Sequence, residues 1–210
     1  ARGGLGFLDG FNEWVVRCGL ESFGAPGLDE IIDNNGTRKE IMLTLHGKIA
    51  NIPASRLEAE VALEPPFELS IAGVVNECSM FGSNLKMNTS LTTTVGSNTV
   101  KVVDEIQNLR AIPDEMQILY HCNYGPPFLM EGSSLVAPIM EVAPRDARAM
   151  EGIKDFDVLG PPQAGFVEQV YFFKLISDVD GRTIVMLANK NETQAVSISF
   201  SLRELPYFTL

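Results

Sequence analysis

Histidine is scarce in this chain. His46 and His121 are the only two among 210 residues, so imidazole proton chemistry near neutral pH must use one or both of them. Cysteine is scarce as well. Cys18, Cys78 and Cys122 are an odd number with no C-x-x-C or metal-type spacing, and read as three reduced, partly buried thiols in a cytoplasmic protein. Sixteen basic residues stand against 27 acidic ones, for a formal charge of −11. The basic residues are scattered and no aromatics interleave them, which argues against nucleic acid and against anionic membrane surfaces. No apolar run reaches the roughly 18 residues of a membrane helix, and no secretory signal is visible. There is no G-x-S-x-G, no Walker loop and no dinucleotide fingerprint; "GGLGFLDG" is glycine-rich but neither follows a strand nor opens a helix.

What is present is strand period. In "SRLEAEVALEPP" Leu57, Ala59, Val61 and Leu63 alternate with Arg56, Glu58 and Glu60, a strand with one wet face. "AVSISFSL" alternates in the same way. "VEQVYFFKLI" and "RTIVMLAN" flank the turn signal Asp178-Val-Asp-Gly181, and "NKNETQ" turns into the next strand, so a meander is expected from 166 to 202. "TVKVVDEIQNL" and "EMQILYH" bracket the loop "RAIPD". Helix signals are poor, and only "PRDARAMEGI" suggests one or two turns. Many short strands without intervening helices predict an all-β chain of antiparallel sheets packed face to face. With no repeat or linker, residues 1–210 read as a single domain. Hydrophobic residues make up 45% of it, enough for a sizeable core.

Both histidines sit where a strand is about to end. "LTLHGKIANIPA" puts His46 before Gly47, and "QILYHCNYGPPFLMEG" puts His121 before Gly125-Pro126-Pro127. Each is either a satisfied structural imidazole or a group facing a ligand. Asn123, two residues beyond His121, is a further candidate ligand contact. Glu168 follows a Gly/Pro loop and is expected to open a strand, either at a pocket mouth or as a solvated strand-end carboxylate. Arg17 interrupts the apolar "WVVRCGL" as an ion-pair arginine or a ligand contact. Trp14, Phe23 and Tyr124 offer flat apolar faces for a sugar ring or for the core.

The strings "RCGLESFGAPG", "LHGKIANIPA", "LYHCNYGPPFLMEG", "GPPQAGFVEQVYFFKL" and "VSISFSLRELPYFTL" together resemble the aldose 1-epimerase (galactose mutarotase)-like superfamily, and within it a bacterial branch of unknown function. The resemblance spans most of residues 14 to 210. It implies a large twisted antiparallel β-sandwich holding a monosaccharide or modified sugar, and an isomerase that interconverts α and β anomers without a metal or other cofactor. On this resemblance His46 binds the sugar near its ring oxygen and His121 is the general acid. Glu168 falls close to an aspartate that bonds sugar hydroxyls, and Arg17 is a weaker sugar contact. The superfamily's general base is a glutamate near the C-terminus, often followed by proline. Nothing after Leu205 supplies it, and Glu64-Pro65 has the dipeptide in the wrong chain order. Both ends of the chain read as cut, so this carboxylate is expected beyond Leu210.

Anomer exchange explains the residue types. A carboxylate takes the C1 hydroxyl proton while an acid protonates the ring oxygen; the ring opens, C1 rotates and the ring recloses. Imidazole, with an ordinary pKa of about 6.5, can lend and recover that proton. Two other readings share the same residues: a carbohydrate-binding protein without turnover, and a cupin-like metal enzyme using His46, His121 and Glu168. A sheet edge could also pair two copies as a homodimer.

Overall fold

The computed structural model describes residues 2–10, 12–33, 35–80 and 82–210, with Arg2 by its backbone alone. Two compact units divide the chain, 1–123 and 124–210. The architecture is all-β, and every pairing between its strands is antiparallel.

Among the described residues the first unit holds eight strands: β1 (Val15–Leu20), β2 (Gly27–Ile32), β3 (Arg38–Leu43), β4 (Arg56–Val61), β5 (Glu68–Cys78), β6 (Asn84–Thr94), β7 (Lys101–Asn108) and β8 (Gln117–Cys122). They form a β1–β8 ribbon, a β2–β3 hairpin and a four-stranded sheet ordered β4-β5-β6-β7. Short 3-10 segments lie at Arg2–Asp9 and Ile49–Asn51.

Alternation along the ribbon gives it two different faces. In register Val16 faces His121 and Cys18 faces Leu119, whereas Arg17 faces Tyr120 and Gly19 faces Ile118. The Val16–Cys18–Leu119 face packs with Phe7, Leu45 and Ala50. Ile118 joins the core made by Val75, Leu85, Met87 and Ile106 of the four-stranded sheet, with Leu20 and Ile49.

The row that builds this core, Val75, Met87 and Ile106, continues outward through Ile71, Leu91 and Val102 to Leu57 and Val61 on the edge strand β4. The sequence predicts a dry face for β4, but all six of its residues are exposed. At this end of the sheet the apolar row runs on past the elements that cover it near β1.

The second unit carries β9 (Ser134–Val136), β10 (Ile139–Pro144), α1 (Ala147–Glu151), β11 (Tyr171–Leu175), β12 (Arg182–Ala188), β13 (Ala195–Ser201) and β14 (Phe208–Thr209). Two three-stranded sheets, β10-β11-β14 and β13-β12-β9, supply its core. Tyr171, Phe173 and Leu175 are the buried alternate residues of β11. They pack with Leu135, Ala149 and Val185, while Phe156, Phe200 and Phe208 close the edges. Burial of each such side chain contributes about 1.5–3 kcal/mol.

The Asp178–Gly181 turn forms as expected: Asp178 Oδ1 accepts from the amides of Asp180 and Arg182. It does not join neighbouring strands of one sheet, however. β11 and β12 belong to different sheets, so the chain crosses between layers here and the expected meander is confined to the β12–β13 pair. α1 is the helical turn anticipated in "PRDARAMEGI", and Asp146 caps it by accepting from the Ala149 amide at 2.9 Å.

All three cysteines are free. Cys18 is fully buried, and burial pushes its thiol up to about 12. Burial also raises Cys122, while Cys78 is exposed. A thiol-reactive disulfide reagent at neutral pH is therefore expected to label Cys78 first, Cys122 slowly and Cys18 only on unfolding. Mass spectrometry of the labelled peptides reads this order directly; early modification of Cys18 would contradict the packing described for β1.

Candidate functional site

β3 ends at Leu43, and the chain then turns so that His46 and Gly47 lie in the left-handed region, with φ of 58° and 77°. Such a φ costs a non-glycine residue about 1–3 kcal/mol and is sustained only where the surroundings over-determine it. Main-chain bonds do so here. The His46 amide donates to the Gly24 carbonyl at 2.9 Å and the His46 carbonyl accepts from the Gly19 amide at 3.0 Å. Lys48 donates back to the Gly19 carbonyl at 3.0 Å, and Leu45 donates to Gly4 at 2.8 Å.

Glycine is required on both sides of this contact. A Cβ on Gly47 would lie 2.1 Å from the Ser22 carbonyl oxygen and 2.5 Å from that of Gly19, while one on Gly19 would lie 2.2 Å from the Gln117 oxygen. Below it, the buried Glu77 holds the end of β1: its two carboxylate oxygens accept from the Leu20 and Glu21 amides at 2.9 and 3.0 Å. Gly47→Ala is therefore expected to displace the His46 loop and to cost at least about 1–3 kcal/mol of stability. Urea unfolding gives the cost, and a shift of the His46 ring signals in NMR reports the displacement.

This framework brings the two histidines together. The His46 and His121 rings stand 5.2 Å apart, centroid to centroid, at 67°. Phe7 meets the His46 ring edge-on, also at 5.2 Å. Both imidazoles are partly buried. His121 is carried on the ribbon face that pairs it with Val16, and His46 arrives on the turn bonded to Gly19.

Arg17 is on the other face. It forks onto Asp104, with Nε 2.9 Å from Oδ2 and Nη2 3.0 Å from Oδ1, and also donates to Thr89 Oγ1 at 2.8 Å. The Tyr120 hydroxyl donates to Asp104 Oδ2 at 2.7 Å. Burial raises the Asp104 carboxyl, but hydrogen bonds from Arg17, Thr89 and Tyr120, with the Arg17 charge, outweigh it and hold the group below the usual carboxylate range. The network ties the ribbon to β6 and β7, and it engages Arg17 away from the histidines.

The other candidates are also engaged. The Asn123 amide donates to the Trp14 carbonyl and its side-chain Nδ2 to the Glu13 carbonyl, both at 2.8 Å. Glu168 lies in the second unit, three residues before β11 rather than within a strand. Its side chain is 72% exposed and pairs with Arg145 at 2.9 Å. Among the described residues no three His, Cys, Asp or Glu are grouped to hold a metal ion.

Phe7, Glu77 and Asp104 were not singled out from the sequence. The two acids had a signal: each interrupts an apolar alternate row, Glu77 after Val75 and Asp104 between Val102 and Ile106, where a charge must be paired. Phe7 had none, since the 3-10 segment that carries it has no periodic apolar pattern.

Residues 1–210 match the profile of the family described as Domain of unknown function (DUF4432). The chain is also similar to a crystal structure of a putative aldose 1-epimerase from Klebsiella pneumoniae subsp. pneumoniae MGH 78578, with a TM-score of 0.90 and 37% identity. That match covers 100% of this chain and 52% of the Klebsiella chain, so the present chain spans about half the length of that protein. No curated protein matches it. The chain has the aldose 1-epimerase-like β-sandwich fold and, matched over its whole length, belongs to the DUF4432 family.

Proposed function

We propose that this chain is part of a sugar isomerase that binds a hexose or modified hexose and interconverts its α and β anomers by acid–base opening of the ring. His121 is the general acid toward the ring oxygen, and His46 binds the sugar beside it. The observation that carries the reading is the pair of partly buried imidazoles 5.2 Å apart, one on a strand end and the other on a turn held in the left-handed region by its backbone. Backbone strain concentrates at functional sites, and a second polar group beside the acid fixes the substrate oxygen that receives the proton.

The reading also requires a carboxylate to take the C1 proton. Three free thiols suit a reducing compartment, and the reading puts the protein in the cytoplasm.

The test is anomer exchange by the full-length protein. Freshly dissolved α-D-galactose and α-D-glucose are followed by polarimetry and by saturation-transfer NMR, with and without protein. Exchange faster than the spontaneous rate supports the isomerase. Sugar binding without faster exchange overturns it and leaves a carbohydrate-binding protein.

A further inference from the structure

We infer that Phe7, on the N-terminal 3-10 segment, is a positioning residue: its ring sets the plane of the His46 imidazole, and with it the place of the sugar oxygen offered to His121. The inference rests on the isomerase reading above and adds to it a residue that acts through His46 rather than on the substrate. The main-chain bonds that seat the His46 turn fix where the side chain leaves the backbone, but not its two torsions. The second of these, about an sp³–sp² bond, has broad wells in histidine, so the imidazole plane is set by what packs against it. A substrate contact must be held to within about 0.5 Å and 10–20° to be productive.

Two rings pack against it. Phe7 and His46 stand 5.2 Å apart at 74°, and His46 and His121 stand 5.2 Å apart at 67°. Both contacts lie within the edge-to-face range of about 4.5–7 Å. Phe7 is set apart from the other large apolar residues of its segment: Leu5 and Leu8 are 42% and 56% exposed, whereas Phe7 is 8% exposed. It is wedged among Val16, Cys18, Leu45, Ala50 and Leu119, a cluster drawn from both strands of the ribbon and from the residue preceding His46. The segment that carries it is tied to the same turn, because the Gly4 carbonyl accepts from the Leu45 amide at 2.8 Å. A main-chain bond thus holds the segment at a fixed distance from the turn, and the buried ring at its far end fixes the imidazole plane.

Phe7→Leu and Phe7→Met keep an apolar side chain in the cluster and remove only the ring. In the full-length protein each is expected to lower kcat/KM for exchange of α-D-galactose or α-D-glucose roughly tenfold, because a turned imidazole misaligns the reacting atoms. Phe7→Tyr keeps the ring and is expected to stay within about threefold of the wild type. Leu119→Ala, in the same cluster but not a ring partner of His46, is the control for packing alone. It is expected to lose at least as much stability in urea as Phe7→Leu while its exchange rate falls less than about threefold. NMR reads the contact without turnover: the His46 ring signals should shift in Phe7→Leu and return toward their wild-type positions in Phe7→Tyr. Wild-type kcat/KM in the ringless variants, a loss that Phe7→Tyr shares, or a loss that Leu119→Ala matches at equal destabilisation overturns the positioning role and leaves the isomerase reading standing. Exchange no faster than the spontaneous rate with the wild-type protein overturns both.

Discussion

His121→Asn is expected to slow anomer exchange by about 10²–10⁴-fold, the usual contribution of one positioned general acid. The amide keeps the approximate size and one donor of the imidazole but cannot release a proton. Sugar affinity, measured by calorimetry, should change far less than the rate. That separation distinguishes loss of a proton donor from loss of a binding contact, because only interactions made in the transition state alter rate without altering ground-state affinity. The packing of His121 against His46 gives the variant a structural control: the NMR signals of His46 should move only slightly if the ring merely loses its neighbour. An unchanged exchange rate in the folded variant would remove His121 from the chemistry.

Asp104→Asn is expected to destabilise the first unit by about 3 kcal/mol, because it leaves Arg17 largely buried without its countercharge. The Asp104 side chain has no exposure and that of Arg17 has 17%, so water can relieve only part of the loss. The pH dependence has a definite sign. Asp104 is depressed in the folded state, so its contribution is fully present above the unfolded carboxylate value of about 3.9 and is lost as pH falls through the lower folded value. Urea unfolding across the acid range should therefore show the wild type losing stability more steeply than Asp104→Asn on acidification, with the two converging at the acid end. Parallel curves would mean that the carboxylate is not held by Arg17 as described.

The meeting of the histidines was legible because each precedes a backbone break, Gly47 in one case and Gly125-Pro126-Pro127 in the other, and strand ends of a sandwich gather at its rim. Fold class was legible for a similar local reason: alternation with few helix signals admits little but antiparallel sheet. Arg17 shows what such reading lacks. Its face depends on whether residue 16 or residue 17 stands opposite His121, and no local feature fixes a register between segments a hundred positions apart. The same gap explains the expected meander, since the turn at Asp178–Gly181 forms on local hydrogen bonds whichever sheets its flanking strands join. Glu168 was expected to open a strand after its Gly/Pro loop, whereas pairing begins only at Tyr171.

The contact between Gly19 and Gly47 has a consequence for how this scaffold can be retuned. Because main-chain amides carry most of the bonds that seat the histidine turn, side chains elsewhere in the first unit can be exchanged for other shapes and polarities while the turn keeps its place. Selection or engineering therefore has a wide choice of positions, and the two glycines are the ones it must spare.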